Sequence, residues 1–309
     1  MDETKLIDKL AAWNTASELD QEEAALEVER LLGRSFEFLG LRTYAGSQWR
    51  IATFEHKRLK IEFVLLPGGE FTAGVSEANR KALAAIDNNV WLPDTVLPPA
   101  RPVTVKPFVI SRLPIDETAA NRFPGLMEWR NEFALPPDFP ETLGIRHSLL
   151  FDWDLVESML RPHMQMPTEL QWEYAYRCGA STLFPWGDAL PADQTAWNHI
   201  LLGDFSDRAV VEAASNAFGV AAMQWGEICS DPFEVGATFG RKPDFETDAH
   251  QMPVMRGGSA LFEPWKDPSW TMCICGARWD TQDYSLERFA ARAVINIPKM
   301  KKWRKAKRR

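Results

Sequence analysis

Apolar positions along the first third of the chain change period twice. Over residues 1–33 they recur at helical spacing, with Ala24, Ala25, Val28, Leu31 and Leu32 on one face. Asp20 opens Asp-Gln-Glu-Glu, and Glu23 three residues on completes a capping-box pattern. Gly33 is placed to end the helix in a left-handed conformation. From Ser35 the period falls to two. Phe36 and Phe38 alternate with Ser35 and Glu37, and Gly40 is expected to end that short strand. Trp49, Ile51, Leu59, Ile61 and Phe63 also fall on alternate positions. Residues 35–60 therefore read as an accessory β region or as the first strands of the main domain.

Further along, an apolar run from Phe63 meets Pro67-Gly68-Gly69, a tight turn before extended chain resumes. Residues 101–120 carry Pro102-Val103 and Val105, then Thr118 followed by Ala119 and Ala120. Residues 121–150 carry Pro124, Pro136, Pro137 and Pro140 and read as irregular. Trp153 to Leu160 reads as a short helix stopped by Pro162. Thr168 reads as the N-cap of the next helix, with Gln171 in the capping-box position. No internal repeat is visible.

The words that carry chemistry begin in that helix. Pro167-Thr168-Glu169 leads to Trp172-Glu173-Tyr174-Ala175, and Pro185-Trp186-Gly187-Asp188 follows. Upstream stand Pro67-Gly68-Gly69 with Phe71 and Gly74, then Pro102-Val103 with Val105. Downstream stand Arg256-Gly257-Gly258-Ser259, Cys275-Gly276-Ala277-Arg278 and Arg292. In content and order these blocks resemble the formylglycine-generating enzyme, or sulfatase-modifying factor, family. The resemblance covers roughly Leu59 to Pro298. It implies an α+β, C-type-lectin-like fold, irregular and rich in loops. The thirteen tryptophans would then serve as large core fillers.

The resemblance also implies a list of catalytic groups. Formylglycine-generating enzymes oxidise a substrate cysteine with oxygen at copper held by two cysteines, which follow the Gly-Gly-Ser word. Soft thiolates suit Cu(I). Here Ser259 matches the serine of the oxygen site, but Ala260-Leu261-Phe262 stand where the first cysteine is expected. Aligning Ile274–Arg278 with the family word puts the second cysteine's position on Trp270. Copper is therefore not expected. Arg256 and Arg292 match positions near the pocket; their alternative role is salt-bridge or carbonyl anchoring. Read as strand, residues 270, 272 and 274 share one face, and Cys273 and Cys275 the other. That pair is either two small buried hydrophobes or a soft-metal or redox site. Cys178 and Cys229, in helix-end and loop contexts, read as structural.

Family members also hold calcium with oxygen ligands. Asp188 and Asn198 are the candidate ligands, although Asp188 also reads as a turn residue after Gly187. The second calcium word is reduced to Trp225–Ile228, without its Asn; Glu227 and Asp231 remain. Some relatives add a three-histidine iron site. The five histidines here form no His-x3-His pattern, and none precedes His56.

Charge changes the picture only at the end of the chain. The net charge of −8 hides residues 299–309, KMKKWRKAKRR, with eight basic residues and no acid. Without them 27 basic residues face 43 acidic ones. Such a tail is a candidate contact for nucleic acid or an acidic surface. The chain has no 18-residue apolar run, so no membrane span is expected. A charged N-terminus and four cysteines suit a reduced, cytoplasmic setting. The expected organisation is an N-terminal helical and β accessory region, 1–58, a sulfatase-modifying-factor-like domain, 59–298, and a basic tail, 299–309. Two functions stay open. One is a non-catalytic binding protein for another protein or peptide. The other is a divergent metal- and oxygen-dependent oxidoreductase built around Ser259, Trp270, Cys273 and Arg292.

Overall fold

The computed structural model describes residues 6–115, 122–123, 153–195, 197, 207–221, 226–233, 253–258, 265, 268–280 and 290–297. Its described elements run α1 (Leu10–Thr15), α2 (Glu18–Leu32), β1 (Phe36–Arg42), β2 (Ile51–His56), β3 (Ile61–Leu66), β4 (Gly69–Ala73) and α3 (Glu77–Ile86). Then follow β5 (Arg101–Val105), β6 (Phe108–Ser111), α4 (Trp153–Leu160), α5 (Glu169–Arg177) and α6 (Arg208–Ala214). The last are β7 (Glu227–Pro232), β8 (Pro253–Arg256), a 3-10 helix (Pro268–Cys273), β9 (Trp279–Asp280) and β10 (Val294–Asn296).

The N-terminal helix is two helices. Extended backbone at Ala16 separates them, and Ser17 rather than Asp20 caps the second. The Ser17 hydroxyl accepts from the Asp20 N–H at 3.1 Å, so Asp20 lies inside the first turn. The expected apolar face of α2 is buried, and Gly33 ends the helix at a positive φ of 94°.

A five-stranded antiparallel sheet, in the order β1-β2-β3-β6-β10, forms the centre. Gly40 does not end β1. The register against β2 shifts between Phe38 and Gly40, and glycine accepts the φ of 106° that this bulge needs. Strand β3 shows why the sheet is a middle layer. Ile61, Phe63 and Leu65 pack with α2 and with Val156, Met159 and Leu160 of α4. Val64 and Leu66, facing the other way, pack with Trp172 and Tyr174 of α5. Burying both faces requires the near-continuous apolar run IEFVLL. β1 and β2, from before residue 59, pair into the same sheet as β3, β6 and β10, from after it.

Two small sheets, β4-β5 and β7-β8-β9, lie beyond α5. At the β3–β4 turn Gly68 is needed for closeness: a Cβ there would stand 2.7 Å from the Asp8 carbonyl oxygen and 2.8 Å from that of Val105. The close approach lets Gly68 exchange backbone hydrogen bonds with Ile7 and Leu10, docking the N-terminal segment on the sheet.

Two local expectations are corrected. Cys229 lies in strand β7, not in a loop. Residues 268–273 form a 3-10 helix, not a strand. Pro268 has no N–H to donate to a ladder, and the following N–H groups close local turns, Ile274 to Thr271 and Ala277 to Ile274. Residues three apart eclipse in such a helix, so Trp270 and Cys273 share a face.

Candidate functional site: a buried charge frame and an aromatic wall

Helix α5 organises this half of the molecule. Thr168 caps it as expected: its hydroxyl accepts from the Gln171 N–H at 3.2 Å, and the Gln171 carboxamide accepts from the Thr168 N–H at 3.0 Å. Within the helix, Trp172 and Tyr176 stack with ring centroids 4.5 Å apart. The Tyr174 hydroxyl donates to the Pro67 carbonyl at 2.8 Å, and the Tyr176 hydroxyl donates to Cys273 at 3.2 Å.

Glu169, Glu173 and Arg177 recur at a spacing of four, and all three are buried. Glu173 accepts from the Gly74 N–H at 2.8 Å, from Arg177 Nε at 2.7 Å and from Arg256 Nη2 at 2.6 Å. Glu169 accepts from Arg278 Nη2 at 2.7 Å and lies 3.4 Å from Arg256 Nη1. Arg256 also crosses the face of Trp172 at 5.4 Å and donates to the Cys275 carbonyl at 3.0 Å. Burial pushes the Glu169 carboxyl up to about 7, against the pull of Arg278 and Arg256.

A second charge pair closes the frame on the sheet side. Arg292 meets Glu227 through Nε at 2.8 Å and Nη2 at 2.7 Å, a bidentate contact. Its other donations go to the carbonyls of Ser111, Arg112 and Ala221, at 2.7 to 2.8 Å. All five guanidinium N–H groups are thus committed to this frame. Glu227 also accepts from Trp172 Nε1 at 2.9 Å, and Asp231 accepts from the Glu169 N–H. Both acids left in the reduced calcium word therefore have structural partners.

The second feature is aromatic. Leu183 to Asp188 form a tight turn, in which Phe184 and Gly187 exchange backbone hydrogen bonds. Asp188 closes it by accepting from the Leu183 N–H at 2.7 Å. The turn stacks Trp186 on Phe184, centroids 4.9 Å apart and planes within 1°. Trp197 lies 4.4 Å from Trp186, and Trp265 meets it edge-on at 6.0 Å. Beneath them Trp270, 5% exposed, meets Phe184 edge-on at 6.1 Å. Cys275 ties its segment to the turn through an N–H donated to Leu183 at 2.9 Å.

Cys273 and Cys275 are buried in the same apolar cluster as Trp270. Burial, and for Cys273 its neighbour Cys275, pushes each thiol up to about 12. Cys229 is held well above its ordinary value by burial, and Cys178, which caps α5 at a φ of 49°, is also pushed to about 12 by burial. Such thiols hold their protons more tightly than an exposed cysteine does.

Of the expected site residues, Trp270, Cys273 and Cys275 come together, and Asp188 borders them through the Phe184 turn. Arg292 lies in the charge frame, where its five N–H groups go to Glu227 and to the carbonyls of Ser111, Arg112 and Ala221 rather than toward Trp270. Ser259, Asn198, Trp225 and the tail 299–309 lie outside the described residues. So does most of 121–150. Among the described residues no three His, Cys, Asp or Glu side chains group as a metal site, and no helix is long and apolar enough to cross a membrane. Sequence reasoning missed Glu169 and Glu173 as frame members. The signal was an i, i+4 series of charges in a helix otherwise filled with aromatic residues. It also missed Trp197 and Trp265 as partners of Trp186, because only ring geometry joins them.

An α+β core whose Thr-Glu-x-x-Trp-Glu helix is clamped by buried arginines defines a class of protein by its frame. A model of the sulfatase-modifying factor enzyme 1-like domain matches residues 125–280. The chain belongs to that family. Among solved structures it is similar to PvdO from Pseudomonas aeruginosa, at 16% identity and a TM-score of 0.47, over 79% of this chain and 97% of that one. It is also similar to Treponema denticola variable protein 1, at 13% identity and a TM-score of 0.44, over 82% of this chain and 98% of that one. No protein curated for function matches it.

Proposed function

We propose that this member of the family is a non-catalytic recognition protein that holds another protein or a peptide at the aromatic wall. The observation that carries this reading is the ring cluster of Phe184, Trp186, Trp197 and Trp265 above Trp270. Trp186, Trp197 and Trp265 keep part of their surface in solvent. Indole rings offer large contact area for little lost side-chain freedom, which is why they anchor interfaces.

The chemistry of the neighbouring positions supports the same reading. An indole supplies no thiolate, and Trp270 stands where the resemblance places the second copper ligand. Cys273 and Cys275 hold their protons through burial. The acids and arginines that the family words retain are engaged in the frame, where they fix α5 against β7 and β8. Four free cysteines favour a reduced, cytoplasmic setting for this binding, with the basic tail 299–309 as an auxiliary contact for an acidic surface.

The test is selection from a displayed peptide library on the full chain, followed by titration of the enriched peptides against Trp186→Ala and Trp197→Ala. Loss of an aromatic anchor should weaken binding by at least about tenfold, since truncated hot spots cost upwards of roughly 2 kcal/mol. Enrichment that is unchanged in both variants would remove the wall as the recognition surface.

A further inference from the structure

On the far side of the sheet from the aromatic wall, the β2–β3 turn faces the end of α4 across a pocket of about 430 Å³. Its apolar lining includes Leu59, Phe123, Met159, Leu160 and Met164, which belong to or pack against the α2 side of the core. Its polar lining holds Lys57 and Arg58 on the turn, Arg161 and His163 after α4, and Ser35 and His56. Among the described residues no carboxylate lines it.

Arg161 is already paired, with Glu157 at 2.8 Å. Lys57 and Arg58 are exposed and make no ion pair among the described residues. His56 is different, because it is buried at 9% exposure. Its Nδ1 accepts from the Leu59 N–H at 3.2 Å, and its ring meets Phe36 edge-on at 4.8 Å. That bond fixes the neutral tautomer with the proton on Nε2. Burial, with the nearby Arg58 charge, lowers the His56 pKa and favours the neutral ring. Nε2 has no hydrogen-bond partner among the described residues, yet its ring lines the pocket. The pocket thus combines an apolar lining, one unused N–H donor from a buried ring, and two uncommitted cations at its mouth.

We infer that this pocket binds a small amphipathic carboxylate, its apolar body against Leu59, Met159 and Met164 and its head group at His56 Nε2, Lys57 and Arg58. The volume lies within the range of small-molecule sites, and few polar groups with one sign of charge fix the ligand's direction. The aromatic wall takes no part, so this site stands or fails independently of the proposed recognition function.

The experiment uses the full chain labelled at the methionine methyl carbons, titrated with octanoate, octanol and octylammonium. Octanoate should shift the Met159 and Met164 signals saturably, assigned by Met159→Leu and Met164→Leu. Octanol and octylammonium should bind at least about tenfold more weakly, because they lack the charge complement. The Lys57→Glu/Arg58→Glu variant changes only exposed side chains and should weaken octanoate by at least about tenfold while leaving octanol unchanged. Octyl phosphate forms a further arm; tighter binding of it than of octanoate would overturn the carboxylate assignment. The pocket assignment itself is overturned by no saturable shift at Met159 or Met164, by equal binding of octanol and octanoate, or by full octanoate affinity in the double variant.

Discussion

The charge frame around α5 and the aromatic wall beside it are neighbours with opposite chemistry. In the frame, Glu169, Glu173, Arg177, Glu227, Arg256, Arg278 and Arg292 are all buried, yet each is paired. In the wall, Phe184, Trp186, Trp265 and Trp270 pack as rings, with Cys273 and Cys275 buried as small hydrophobes in the same cluster. Charge is held in pairs around α5, and the neighbourhood of Trp270 is apolar. A buried arginine in a family word is thus better read first as a clamp, and Arg292, with its five committed N–H groups, is the clearest case.

The frame should break most severely at Arg292. Arg292→Ala strands Glu227 in the core, and removal of one partner from a buried pair costs about 3–5 kcal/mol. Denaturant unfolding of the variant measures this. A loss below about 1 kcal/mol would mean that the pair is not a clamp.

Glu169 sharpens the comparison through pH. Its folded carboxyl, raised from an ordinary 4.5 to about 7, binds a proton more tightly than the unfolded chain does. Its contribution is therefore fully present below pH 4.5 and is lost as pH rises through about 7. The full shift corresponds to at most about 3 kcal/mol. Unfolding midpoints at pH 5 and pH 8 should show wild type losing more stability than Glu169→Gln. Parallel profiles would remove Glu169 as the titrating group.

Thr168→Ala tests the cap that orients the frame helix and should cost about 1 kcal/mol. The wall gives the smallest signal. With thiols held near 12 by burial, Cys273 and Cys275 should react with a disulfide reagent at pH 8 only as fast as the protein opens. Rapid labelling of either cysteine in the native state would show an accessible thiolate.

Much of this organisation was legible in the chain. The α2 face, the β3 run, the short helix Trp153–Leu160 and the Thr168–Gln171 cap follow local rules of period and hydrogen bonding, so they could be read from spacing. Asp20 misled because Ser17, three residues earlier, is the better-placed hydroxyl. Gly40 misled because glycine marks a bulge as readily as a strand end. The strand expected at Trp270–Cys275 failed because alternation cannot reveal whether a facing strand exists. The frame and the wall were hidden for a different reason. Arg292 and Glu227 are separated by 65 positions, and Trp186 meets Trp265 only through tertiary packing.

Copper binding tests most directly whether the family frame here carries recognition rather than oxidation. Reduced, full-length protein is titrated anaerobically with Cu(I) against a chromophoric competing chelator. With Trp270 and Ala260-Leu261-Phe262 in place of the paired thiols, the competitor should retain the copper, and Cys273→Ala/Cys275→Ala should leave the curve unchanged. One Cu(I) withdrawn per chain, and released again by that double substitution, would contradict the reading.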